Sequence, residues 1–200
     1  SFSGIWQSNG AAAVQRTVPP GPGAGFAITS LAWGGTAMGF VGMCQSGASS
    51  SVYTSPDGVT WTNTGALLGS IGWDVAADTV NSLFVRSSTD CQTIQASPDG
   101  VTWTGVAALP NATAWPEGHE LHKVLCRAGI WIIVTRTTTG SNRSCAVWVS
   151  VDRGSTWEYS IVPVPAAGAG LFCAGALIEN AAERIAVGSF TSLCLGKRVR

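Results

Sequence analysis

A small all-β propeller of four four-stranded antiparallel blades is the fold this sequence predicts. Three observations predict it: a turn motif written three times, two strand-like runs upstream of each copy, and tryptophans that recur at one blade length. The motif copies are Tyr53-Thr-Ser-Pro-Asp-Gly-Val-Thr-Trp-Thr62, Gln95-Ala-Ser-Pro-Asp-Gly-Val-Thr-Trp-Thr104 and Val149-Ser-Val-Asp-Arg-Gly-Ser-Thr-Trp-Glu158. The run Ser-Pro-Asp-Gly-Val-Thr-Trp is identical in the first two.

Each copy has the chemistry of a hairpin. Pro presets the turn, Asp bonds nearby backbone amides, Gly accepts a positive φ, and Thr and Trp open a return strand suited to a half-buried pleat. The third copy spends one more residue in its turn. Ahead of the first copy, Ile28 to Trp33 and Gly39 to Met43 read as strands joined at Gly34-Gly35. Ahead of the second, Gly72 to Ala77 and Ser82 to Arg86 are joined at Asp78-Thr79. Ahead of the third, Leu121 to Cys126 and Ile130 to Arg136 are joined at Ala128-Gly129.

A fourth unit runs through Leu171 to Leu177, Ile185 to Phe190 and Ser192 to Val199, and no hairpin motif follows it. Ser3-Gly4-Ile5-Trp6 has the pattern of the missing return strand, so Trp6 is expected to close the last blade. Trp6, Trp61, Trp103 and Trp157 then lie about 40 to 55 residues apart, near one blade length. The expected organisation is one domain, 1–200, with blades at 26–65, 69–107, 120–163 and 170–200 plus 1–8. A partial ring of five to seven blades is the alternative.

Composition narrows the function. Only 11% of residues are charged, Lys plus Arg equals Asp plus Glu at 11 each, and Gly contributes 25 positions and Trp nine. With no basic field, nucleic acid is not an expected partner. The uncharged stretch between Arg16 and Asp57 is broken by Pro19, Pro20 and Pro22, and its most apolar part is too short to span a bilayer, so no membrane insertion is expected. The first residues lack the basic start and apolar run of a secretory signal, which favours a chain made in the cytoplasm. Cys44, Cys91, Cys126, Cys145, Cys173 and Cys194 form no CxxC pair and match no His spacing, so buried free thiols are expected and neither metal nor cofactor is.

At the hairpins the sequence resembles the Asp-box repeat, Ser-x-Asp-x-Gly-x-Thr-Trp, of sialidases and many non-enzymatic propellers. Ser150 to Trp157 matches in full. The first two copies are one residue shorter between Asp and Gly, a form similar to repeats in bacterial and bacteriophage surface or tail proteins. The resemblance implies a structural role, away from any substrate, for Ser55, Asp57, Gly58, Thr60 and Trp61, for Ser97, Asp99, Gly100, Thr102 and Trp103, and for Ser150, Asp152, Gly154, Thr156 and Trp157.

Catalytic patterns are thin. A sialidase would need an arginine cluster and a Tyr–Glu pair, yet Tyr53 and Tyr159 are the only tyrosines and both flank hairpins. A glycosidase needs two carboxylates across a cleft, and Asp74, Asp78, Asp90, Glu117, Glu120, Glu158, Glu179 and Glu183 form no recognisable pair. Glu117-Gly-His119-Glu120-Leu-His122 gathers both histidines in what reads as a polar loop, without the HExxH spacing. Trp115, His119 and His122 are the candidate ligand-binding residues. Trp33 and Trp73 could stack on sugars but read as blade core.

The expectation is a non-catalytic structural or recognition module, a bacteriophage virion protein of decoration or tail type, with other virion or surface proteins or glycans as partners. The alternatives are a lectin-like propeller, secreted or at a cell surface, and, more weakly, a sialidase-like glycoside hydrolase.

Overall fold

The computed structural model describes residues 5–8, 13–16, 27–46, 49–65, 74–88, 93–106, 109, 119–127, 129–137, 144–163, 173–176, 184–189 and 192–197. At several of these, including all of the first two and last three strands, it describes the backbone alone. The described residues are all β, in antiparallel sheets.

Sheet 1 comprises β3 (Ala27–Trp33), β4 (Phe40–Ser46), β5 (Ser49–Ser55) and β6 (Thr62–Asn63) in sequential order. Sheet 2 repeats this with β7 (Asp74–Asp78), β8 (Leu83–Ser87), β9 (Ile94–Ser97) and β10 (Thr104–Gly105), and sheet 3 with β11 (His119–Arg127), β12 (Ile130–Thr137), β13 (Ser144–Ser150) and β14 (Glu158–Pro163). Sheet 4 is three-stranded, β15 (Cys173–Ala176), β16 (Arg184–Ser189) and β17 (Ser192–Lys197). The strands expected from alternation and turn residues are therefore present, their ends shifted by a residue or a few.

β1 (Ile5–Ser8) pairs with β2 (Ala13–Arg16), Trp6 opposite Gln15, and among the described residues no pairing joins β1 to β17. The physical reason is chain entropy. A hairpin within the first 16 residues closes a short loop that carries Asn9-Gly10, a strong hairpin signal, whereas pairing with β17 would close nearly the whole chain. Among the described residues Trp6 is paired within this hairpin, opposite Gln15.

The registers superimpose the three complete sheets. Ser55, Ser97 and Ser150, which open the hairpins, lie opposite Phe40, Phe84 and Trp131, and these lie opposite Trp33, Ala77 and Cys126 on the first strands. Three residues on from the aromatic position, Met43, Ser87 and Val134 lie opposite Ser30, Asp74 and Lys123. Ser30, Asp74 and Lys123 thus hold one position of the repeat. In β3 and β11 a register shift falls just before it, between Ile28 and Ser30 and between Leu121 and Lys123.

The sheets stack face to face with a constant polarity. Val75, Phe84 and Trp103 of sheet 2 pack on Ala32, Val41, Met43 and Val52 of sheet 1. Val124, Trp131, Ile133, Trp148 and Trp157 of sheet 3 pack on Ala76, Val85, Ile94 and Ala96 of sheet 2. Sheets 2 and 3 therefore turn leading faces that carry aromatics towards trailing faces made mostly of small and β-branched residues, which lets large knobs fill shallow pleats. Phe84, Trp131 and Trp148 are fully buried in these layers. The first strands lie side by side, β7 between β3 and β11, and β15 lies against β11 and β12.

Candidate functional site

The three hairpins are built alike from the side chains upward. In the first, Ser55 Oγ accepts from Gly58 N–H at 2.8 Å, and Asp57 Oδ1 accepts from Val59 N–H at 2.8 Å and Thr60 N–H at 3.0 Å. Trp61 Nε1 donates back to Gly58 O at 3.2 Å. The second copy repeats these bonds through Ser97, Asp99, Gly100, Val101, Thr102 and Trp103 at 2.7 to 3.1 Å. In the third, Asp152 takes both Thr156 N–H, at 2.8 Å, and Thr156 Oγ1, at 2.7 Å.

Gly58, Gly100 and Gly154 sit at φ of +73°, +74° and +82°, and a Cβ on Gly154 would come within 2.8 Å of the Trp131 ring. The Thr60 and Val59 amides hold the Asp57 carboxyl below its ordinary value, and those of Thr102 and Val101 do the same for Asp99. The Thr156 hydroxyl and amide bring Asp152 down to about 2. All three aspartates stay ionised and spend that charge on their own turns.

A second set of aspartates does different work. Asp74, on β7, receives a hydrogen bond from Ser30 Oγ of sheet 1, and from sheet 3 it receives Lys123 Nζ at 3.0 Å and Val124 N–H at 2.5 Å. Ser30 Oγ also accepts Val75 N–H at 3.2 Å. The repeat position shared by Ser30, Asp74 and Lys123 is thus a polar ladder across three first strands. Lys123 keeps 41% of its side chain in solvent while Asp74 keeps 11%, so the ladder opens to water at its cationic end.

At the other end of β7, Asp78 is wholly buried and accepts from Asn81 Nδ2 at 2.9 Å, Gly129 N–H at 2.8 Å and Trp131 Nε1 at 3.4 Å. Asn81 Oδ1 in turn receives Arg153 Nη2 at 2.7 Å, so the extra residue of the third hairpin reaches back to sheet 2. Arg153 holds φ at +59°, unusual for a side-chain-bearing residue.

Arg86, Cys44, Cys126 and Tyr53 are held away from water. Arg86 lies under Trp103, its Cζ 3.9 Å from the ring centroid, and donates to Gln95 Oε1 through Nε at 2.9 Å and Nη2 at 2.6 Å. Burial brings its pKa down to about 9. Burial raises the Cys44 thiol to about 12, and burial with the Asp78 and Asp74 charges pushes Cys126 well above the usual thiol range. Both are free cysteines. Tyr53 is 1% exposed and its phenol is pushed up by burial and by Cys44, an environment that disfavours a phenolate nucleophile.

Several sequence expectations are relocated. Of the Glu117–His122 segment, read as a polar loop, residues from His119 on lie in strand β11, because pairing His119 with Thr137 and Glu120 with Arg136 extends the ladder past the register shift. His119 and His122 are placed there by backbone alone. Trp115 and Trp73 lie outside the described residues. Trp33, expected in the blade core, is 43% exposed. Among the described residues no group of three or more His, Cys, Asp or Glu gathers to hold a metal, and no helix is long and apolar enough to cross a membrane. The ladder residues escaped the sequence reading because their partners are 44 to 50 residues away. Aligning first strands outward from the hairpins would have found Ser30, Asp74 and Lys123.

No family model matches the chain, and no curated protein does. Among solved structures it is similar to the GH74 enzyme of Niastella koreensis, with a TM-score of 0.42 and 18% identity over 78% of this chain and 28% of that one. The chain thus spans little more than a quarter of that neighbour's length.

Proposed function

We propose that the chain is an arc of β-propeller blades, with β3, β7, β11 and β15 as the inner strands, that serves as a non-catalytic structural or recognition module. The observation that carries this reading is the side-by-side packing of the first strands, joined at one repeat position by Ser30, Asp74 and Lys123. Blades that radiate from a common centre bring their first strands together in this way. The hairpin aspartates stabilise the outer turns, as the Asp-box resemblance implies.

The non-catalytic part rests on how five of the described carboxylates are spent. Asp57, Asp99 and Asp152 are saturated by their turns, and Asp74 and Asp78 by donors from neighbouring sheets, which leaves them poorly placed for acid–base work. The partners we propose are other proteins of a virion or cell surface, with the virion as the location. The shortened hairpin motif and the low charge favour that setting.

Mass spectrometry of purified particles, combined with a binding and hydrolysis screen on a glycan panel, tests the reading. The chain in the particle fraction, with neither binding nor hydrolysis, is the expected result. Glycan binding without turnover would replace it with the lectin reading, and turnover would overturn the non-catalytic assignment.

A further inference from the structure

Two of the three hairpins carry Asp followed directly by Gly, at Asp57-Gly58 and Asp99-Gly100, while the third separates the two residues with Arg153. Asp-Gly is the dipeptide most prone to rearrange, because no side chain shields the glycine nitrogen from the neighbouring carboxyl carbon. The fold cannot discard it. Gly58 and Gly100 sit at φ of +73° and +74°, and a Cβ on Gly100 would run into Val41 Cγ2. Asp57 and Asp99 are exposed to water, whereas Ser55 and Ser97 are buried.

These serines are bonded to both groups that would react. Ser55 Oγ accepts Gly58 N–H at 2.8 Å and donates to Asp57 Oδ1 at 3.2 Å. Ser97 Oγ accepts Gly100 N–H at 2.8 Å and donates to Asp99 Oδ1 at 2.9 Å. The same carboxylate oxygens also take the amides of Val59 and Thr60 and of Val101 and Thr102, which keep the carboxyls ionised and so poor in leaving group. In the third hairpin Ser150 Oγ takes Gly154 N–H at 2.7 Å, an amide two residues beyond Asp152. We propose that Asp57 and Asp99 are latent isoaspartate sites and that Ser55 and Ser97 hold them in the aspartyl form. When the first hairpin opens, Gly58 N bonds to Asp57 Cγ, the nitrogen proton and the carboxyl hydroxyl depart as water, and a succinimide forms. Water then opens the ring, and opening at the Asp57 backbone carbonyl leaves the chain running through the side chain. The composition is unchanged, but the turn is one methylene longer and no longer fits its own hydrogen bonds.

Ageing the whole chain at neutral pH, followed by peptide mapping with electron-transfer fragmentation to separate isoaspartate from aspartate, tests this. The folded wild type is compared with the wild type in urea and with Ser55→Ala, where the second hairpin is the internal reference. Both sites in the folded wild type should convert about tenfold or more slowly than in urea, since opening breaks several hydrogen bonds. In Ser55→Ala, Asp57 should convert about threefold faster or more while Asp99 keeps its wild-type rate. The reciprocal Ser97→Ala chain, read in the same way, serves where Ser55→Ala does not fold. Equal rates in the folded and urea-treated wild type would overturn the protection. A folded Ser55→Ala chain whose Asp57 converts no faster than wild type would overturn the role of the serine, as would one in which Asp57 and Asp99 accelerate together. Conversion of Asp152 as fast as Asp57 in urea would overturn the dependence on the adjacent glycine.

Discussion

Asp74 and Asp78 lie on the first strand of sheet 2, and Asp57, Asp99 and Asp152 occupy the hairpin turns, yet all five are engaged in hydrogen bonds. The difference lies in who donates. The hairpin carboxylates bond amides two to four residues away, in solvent, and organise a turn. The first-strand carboxylates also bond groups about 50 residues away, under cover, and organise the contact between sheets. One residue type therefore serves local order in one place and long-range register in the other, and burial decides how much each is worth.

The largest effect should come from the first-strand set. Asp78→Ala removes the acceptor of Gly129 N–H and Trp131 Nε1 between sheets 2 and 3, and orphaned buried donors cost about 1 to 3 kcal/mol each. Chemical denaturation should show a loss of about 3 kcal/mol or more, and a change under 1 kcal/mol would place the inter-sheet register elsewhere. Next is Gly154→Ala, where a positive φ and a Cβ within 2.8 Å of Trp131 combine, so that the variant should lose about 1 to 3 kcal/mol. Wild-type melting there would mean that the third hairpin shifts freely.

Asp57→Ala and Asp99→Ala should lower the melting temperature by less than Asp78→Ala, since their donors regain water when the acceptor is lost. A hairpin variant that melts below Asp78→Ala would reverse the comparison. The smallest effect is pH-dependent. The carboxyl of Asp152 lies at about 2 in the fold against an ordinary 3.8, so its contribution is present above 3.8 and lost as pH falls from there towards 2. Because the group is exposed, salt should reduce it. An Asp152→Asn chain should have a flatter stability profile over that window than the wild type, and an equal slope would contradict the assignment.

Much of this was legible in the residues. Pro-Asp-Gly and Asp-Arg-Gly announced the hairpins because turn chemistry is local, and the β-branched and aromatic run Ile130 to Arg136 announced a strand because such residues suit a pleated sheet. What escaped was non-local. Nothing near Asp74 names Ser30 or Lys123 as its partners, and only the registers bring them to one position. At the N-terminus, Ser3-Gly4-Ile5-Trp6 reads as a return strand for the last blade, whereas the pairing described for β1 is with β2.

The central claim is that neighbouring sheets are tied through the ladder on their first strands. A double-mutant cycle on Ser30→Ala and Asp74→Ala, read by denaturant unfolding, tests it most directly because these residues meet only if β3 and β7 lie side by side. The account predicts a coupling of about 0.5 to 3 kcal/mol, and two losses that simply add would contradict it.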